Sequence, residues 1–84
     1  MLVLLGLLVA CEEGEQTVAC QQYVSCVQAM DKGTGRVTNL KRYEANGDCW
    51  GGPAGQELCD RSCKNGLTWI AERYENAPEA CFVD

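Results

Sequence analysis

Seven cysteines in a chain of 84 residues constrain the fold more than any other feature of the sequence. Cysteine at this density belongs to small domains of oxidising compartments, where disulfides stand in for a core that so short a chain cannot build. Two of the seven, in Leu58-Cys59-Asp60-Arg61-Ser62-Cys63, lie one helical turn apart. Positions four apart on a helix hold their Cβ atoms about 5–6 Å apart, whereas a disulfide needs roughly 3.5–4.5 Å. Cys59 and Cys63 are therefore expected to bond other segments. The pairs Glu57/Arg61 and Asp60/Lys64, each acid-then-base at i,i+4, then mark the solvated face of the same helix.

Charge and composition exclude several function classes. The net charge is −5, and three of the twelve acids crowd into Glu12, Glu13 and Glu15. No basic patch is available to neutralise phosphates, so nucleic acid is not an expected partner. The chain has no histidine, which removes the commonest general base and the commonest metal ligand and, with them, mechanisms built on imidazole. No cofactor and no metal are expected, and no catalytic residue is assigned.

The first ten residues, MLVLLGLLVA, form an apolar run that gives way abruptly to Cys11-Glu12-Glu13-Gly14-Glu15. Ten residues are too few to span a bilayer, which takes about 20, but they fit the h-region of a secretory signal. The junction Leu8-Val9-Ala10-Cys11 resembles the bacterial lipobox. That resemblance implies removal of residues 1–10 as a lipoprotein signal peptide and lipidation of Cys11 as the mature N-terminus. An ordinary signal peptide is the competing reading, but Leu8 stands where ordinary cleavage prefers a small residue. No Lys or Arg precedes the run, so on this reading translation starts upstream of Met1. Setting Cys11 aside leaves Cys20, Cys26, Cys49, Cys59, Cys63 and Cys81, an even number compatible with three bridges whose connectivity stays open. Residues 11–16 then form a short lipidated tether, and residues 17–84 a six-cysteine helical domain close to the membrane.

Within that domain Thr17 can cap a first helix running to about Asp31, with Cys20, Tyr23, Val24, Val27 and Met30 as its apolar stripe. Cys26 lies about 120° round from Cys20, so the two should bond different neighbours. Lys32-Gly33-Thr34-Gly35 breaks the helix; it lacks the further glycine and Lys-Ser/Thr of a phosphate loop. Val37, Leu40 and Tyr43 then indicate a second, short helix closed by Asn46-Gly47, and Asp48-Cys49-Trp50-Gly51-Gly52 a tight connector. Pro53 can open a third helix with Cys59, Cys63, Gly66, Leu67, Ile70 and Tyr74 inward. Asn65-Gly66 either lets another backbone approach or ends that helix and starts a fourth. Asn76-Ala77-Pro78 stops the last helical segment, and Cys81 pins the tail. At least one bridge is expected to join Cys20 or Cys26 to Cys59 or Cys63.

Taken together, Cys20-x-x-Tyr23-x-x-Cys26, Tyr43, Gly47-Asp48-Cys49-Trp50, Cys59-x-x-x-Cys63, Gly66-Leu67 and the Pro-x-x-Cys ending at Cys81 resemble small six-cysteine lipoproteins numerous in myxobacteria. The resemblance spans about Cys20 to Cys81 plus the lipobox. It implies a class, and no activity.

The sharper alternatives are weaker on spacing. Zinc knuckles pair two Cys-x-x-Cys-type motifs, and only Cys59-x-x-x-Cys63 comes near; the Cys-x-x-Cys of a thiol oxidoreductase is absent. Carboxylate pairs such as Glu57 with Asp60, or Glu72 with Glu75, each have a basic residue at helical spacing and read as solvated surface. Trp50, beside Gly51, Gly52 and Gly55, is either a core plug next to Cys49 or an exposed anchor for a partner. Trp69, about 100° from the inner stripe of its helix, either buries against the second helix or faces outward. The expectation is an all-α, disulfide-rich domain of three or four short helices at a bacterial cell envelope. It would be lipid-anchored to the outer or cytoplasmic membrane, facing an oxidising compartment, and would serve as a binding or structural module with another envelope protein as partner. The competing class is a small-molecule enzyme or thiol-redox protein at the same surface.

Overall fold

A computed structural model describes residues 15–82. The lipobox-like Leu8-Val9-Ala10-Cys11, the apolar run before it and most of the expected tether lie outside the described residues. Among the described residues the domain is all-α and disulfide-rich, built on two α-helices with three short 3₁₀ turns around them. Helix α1 is Val18–Thr34 and helix α2 is Pro53–Arg73. Among the described residues no helix is long and apolar enough to cross a membrane.

Helix α1 begins where the Thr17 hydroxyl oxygen accepts the Cys20 N–H at 3.3 Å. It runs through Lys32 and Gly33 and ends at Gly35, whose φ of 75° is left-handed; the N–H groups of Gly35 and Arg36 both reach the Asp31 carbonyl. A glycine at this position closes the helix without a Cβ penalty. The buried face of α1 holds Cys20, Val24, Cys26 and Val27, with Tyr23 and Met30 partly buried beside them. Helix α2 starts on Pro53, whose missing N–H costs nothing in the first turn. Its buried face is Cys63, Leu67 and Ile70.

Asn65-Gly66 does not break α2. The glycine is there for close approach: a Cβ on Gly66 would stand 2.6 Å from Cε1 of Tyr23. Cys20 bonds Cys63, and three residues further along each helix Tyr23 meets Gly66. The two helices therefore run parallel, and the connector must travel back beside them before α2 can start.

That connector corrects the expected second helix. Val37 is 96% exposed and lies outside any helix, and the segment carries only the 3₁₀ turns Lys41–Tyr43 and Asp48–Gly51. The Asp31 carboxylate fixes its first part instead, accepting the Thr38 N–H at 2.6 Å and the Thr38 hydroxyl at 3.0 Å. Asn46-Gly47 is no left-handed cap, since Gly47 has φ −80°. Leu40 plugs the core while its neighbours stay at the surface. Tyr74 is a second correction. Helix α2 ends at Arg73, and Tyr74, in extended backbone, is 44% exposed and contributes no inner face.

Three bridges close the structure: Cys20–Cys63, Cys26–Cys81 and Cys49–Cys59. The first joins the two helices. The second docks the 3₁₀ turn Glu79–Cys81 on α1, and the third fastens the connector to α2. Cys59 and Cys63 take different partners. The interior divides into two clusters. One is Cys20, Cys49, Trp50 and Cys63; the other is Val24, Cys26, Val27, Leu40, Leu67, Ile70 and Cys81. Tyr23 and Tyr43 pack against both, meeting edge to face at 5.5 Å.

Candidate functional site

The residue types that most often carry chemistry are spent on structure. All six cysteines of the described residues are disulfide-bonded, so none offers a thiolate. Among the described residues no three of His, Cys, Asp or Glu are gathered as a metal centre. The helix carboxylates form pairs along α2, the exposed Glu57 with Arg61 at 3.6 Å and the half-buried Asp60 with Lys64 at 3.0 Å. Hydrogen bonds from the Thr17 hydroxyl and from Lys64 hold the Asp60 carboxyl below its ordinary range. Burial, with the nearby Tyr43 second, pushes the Tyr23 hydroxyl up. Asp60 pairs with Lys64 along α2, and Tyr23 joins the two core clusters.

The two tryptophans separate. Trp50 is 5% exposed, and its indole N–H donates to the Glu44 carbonyl at 2.7 Å. This corrects its candidacy as a partner contact: the ring fills the cluster beside Cys49 and presents no face to a second molecule. Trp69 faces outward at 49% exposure. The Arg73 guanidinium sits 4.7 Å above its ring, and Tyr74 meets it edge to face at 5.9 Å. The i,i+4 spacing on α2 brings Arg73 over Trp69. The irregular chain after Arg73 folds Tyr74 back onto the same ring. Sequence reasoning named Trp69 and missed its companions; the Trp-x-x-x-Arg spacing was the available signal. A surface cavity of about 460 Å³ opens beside the patch, lined by Met30, Arg73, Tyr74, Ala77 and Pro78 among others.

A second concave feature lies along the joint between the helices. It is a half-open groove of about 560 Å³. Val18 and Ala19 of α1, Leu67 and Ala71 of α2 and Phe82 of the tail give it an apolar lining, with Lys64 and Glu72 also bordering it. Val18 and Phe82 are 76% and 42% exposed, large apolar side chains left open to solvent at its edge. Neither stood out in the sequence. Val18 is the first helical residue and Phe82 follows the last cysteine, so neither falls within an apolar stripe.

No known family model, curated protein or solved structure matches this chain.

Proposed function

We propose that the chain is a bacterial cell-envelope lipoprotein, tethered through lipid on Cys11, whose six-cysteine domain is a binding module. The observation that carries the binding reading is the Trp69–Arg73–Tyr74 patch. Tryptophan, tyrosine and arginine dominate the energetics of protein interfaces, because each brings a large contact area with a polar or charged edge. Here the three lie on one another at the surface. Each restrains the others before docking, which lowers the entropy lost on binding. The patch is also well placed for a tethered protein. Cys20 stands beside Cys63 near the start of α1, and Trp69 and Arg73 follow Cys63 by two to three turns of α2, at about 1.5 Å per residue. The tether leaves from the opposite end. A domain held at its N-terminus thus presents the patch away from the membrane, toward another envelope protein.

The anchor rests on the lipobox resemblance of Leu8-Val9-Ala10-Cys11 and on the even count of cysteines left when Cys11 is set aside. Envelope localisation agrees with three disulfides, which persist in oxidising compartments. The test is site-specific photo-crosslinking in cells. A photoreactive residue at Glu75, beside the patch, should give a discrete cross-linked species that Trp69→Ala abolishes, and one at Arg61 should give none. Equal products at both sites, or a species that survives Trp69→Ala, would overturn the binding reading. A Cys11 peptide of unmodified mass in the membrane fraction would overturn the anchor.

A further inference from the structure

Building on the lipid-anchor reading, we infer that the groove between α1 and α2 is an acyl-chain site that takes one of the chains carried by Cys11 of the same molecule. The groove has the character such a ligand needs: about 560 Å³, lined by Val18, Ala19, Leu67, Ala71 and Phe82. That volume falls within the roughly 300–1,000 Å³ of small-molecule sites. Along α2 it extends from Lys64 to Glu72, about 12 Å at 1.5 Å per residue.

Three observations select the occupant. First, reach: Val18, at one end of the groove, follows Cys11 by seven residues, an extended span of up to roughly 25 Å. The chain is fastened from Gln16 onward, by the Gln16 side-chain amide donating to the Tyr43 carbonyl at 2.7 Å and by the Thr17 hydroxyl capping α1 at the Cys20 N–H. Only residues 12–15 separate that fixed point from Cys11, and three of the four are glutamates. The tether itself is too polar to fill an apolar groove; the acyl group at its end is not. Second, the groove lacks a counter-charge for a free amphiphile. Lys64 is the sole basic residue in its lining, and its ammonium is paired with Asp60 at 3.0 Å. A fatty acid or phospholipid would bring a carboxylate or phosphate to a lining whose one cation is balanced by Asp60 and Glu72, whereas an acyl chain joined to Cys11 brings no charge. Third, a net charge of −5 opposes pressing this face onto an anionic leaflet. A multiply acylated cysteine can place one chain in the protein and keep others in the bilayer, and two buried chains already suffice for stable anchoring. The sheltered chain would hold the domain in one orientation at the membrane instead of letting it swing on its tether.

The test labels the full chain with a diazirine-bearing fatty acid fed to the expressing bacterium, followed by irradiation in membranes and peptide mapping. The expected cross-links join Cys11 to peptides containing Val18–Gln22, Thr68–Glu72 or Phe82 of the same molecule. Thr68→Trp, at an exposed position, and Ala71→Trp should fill the groove and remove those cross-links while circular dichroism stays unchanged. Equal mixing of heavy- and light-isotope cells separates cross-links within a molecule from those between molecules. Acyl-labelled Cys11 with cross-links only to lipid, to a second copy or to peptides outside the groove overturns the inference and leaves the anchor standing. A Cys11 without acyl mass overturns both. Persistence of the groove cross-links in both tryptophan variants also overturns it.

Discussion

Where α1 begins, the interior is closed by Cys20, Cys49, Trp50 and Cys63; a turn or two further on, it is closed by Val24, Val27, Leu40, Leu67 and Ile70 around the Cys26–Cys81 bridge. The first cluster contains no buried aliphatic side chain. Its order depends on two covalent links and one indole hydrogen-bonded to the Glu44 carbonyl. The second has five aliphatic side chains, each contributing about 1.5–3 kcal/mol when fully buried. It would retain apolar contacts without its bridge. The difference shows how so small a chain divides its stabilisation: covalent closure where a connector must be folded back on a helix, hydrophobic burial where two helices and a tail already meet.

Reduction tests that division with the largest expected effect. Bridges that close 43, 55 and 10 residues restrict the unfolded chain by about 4, 4 and 3 kcal/mol in the loop-entropy picture. Together they match the whole stability of about 5–15 kcal/mol expected of a domain. Full reduction should abolish the cooperative thermal transition in circular dichroism. The paired variants then separate the two clusters. Cys20→Ala with Cys63→Ala should cost about 4 kcal/mol and shift the fluorescence of Trp50, read in a Trp69→Phe background. Cys26→Ala with Cys81→Ala should cost a similar amount and leave Trp50 emission nearly unchanged. An equal Trp50 response in both would mean that the clusters are one unit.

The joint between the clusters is the next target. Tyr23 packs against both and occupies the space that a Cβ on Gly66 would need. Gly66→Val should destabilise by about 1–3 kcal/mol, because the Tyr23 ring it would strike also packs edge to face on Tyr43 and against both core clusters. Gly66→Ala should fall between wild type and valine, since alanine gains about 1 kcal/mol of helix propensity over glycine. Chemical denaturation of the three proteins gives the order. Tyr23 also sets an alkaline limit. Its folded-state pKa is raised above the ordinary 10.0, so its contribution is complete below that value and is lost as pH rises through the folded-state pKa.

These two regions were not equally legible in the sequence. The cap at Thr17, the α1 stripe and the outward pairing of Cys59 and Cys63 follow from local rules of spacing, and the structure has all three. The connector followed a different logic. Val37, Leu40 and Tyr43 have helical spacing, but a connector between parallel helices must span the distance back to the start of α2, and a compact helix there would shorten it. Asp31 and Leu40 fix it by one carboxylate and one buried side chain, which leave no periodic trace. The two roles open for Gly66 could be decided only by knowing that Tyr23 lay opposite. The same holds for surface features: Trp69 was visible as a residue, whereas the stacking of Arg73 and Tyr74 on it depends on where α2 stops. The groove arises from side chains on three elements and had no linear signal.

Thr17 belongs to the cysteine-rich end, where its hydroxyl caps α1 and acts on Asp60 of α2. Its oxygen accepts the Cys20 N–H at 3.3 Å, and the same hydroxyl is the leading cause that lowers the Asp60 pKa. Thr17→Ala should cost about 1 kcal/mol, the usual value of an N-cap, measured by urea denaturation near neutral pH. Thr17→Ser, which keeps the capping hydroxyl, should restore most of it.

The smallest effect is the acid dependence carried by Asp60, and its sign is fixed by the shift. Asp60 ordinarily titrates near 3.8, and in the folded protein the Thr17 hydroxyl first and Lys64 second lower that value. Above 3.8 the carboxylate is ionised in both states and its contribution is fully present. As pH falls below 3.8 the unfolded chain takes up the proton first, so the contribution is lost progressively until the folded-state value is passed. The side chain is partly open to water and its lysine more so, so solvent and salt screen the interaction and the change in stability is small. Urea midpoints should therefore fall more steeply on acidification in the wild type than in Asp60→Asn. Thr17→Ala should flatten the same limb, because it removes the leading cause of the shift. Lys64→Met should flatten it less, and added salt should act mainly on the lysine part. If Lys64→Met flattened the limb more than Thr17→Ala did, ion pairing along α2, and not the Thr17 hydroxyl, would be the leading cause of the acid dependence.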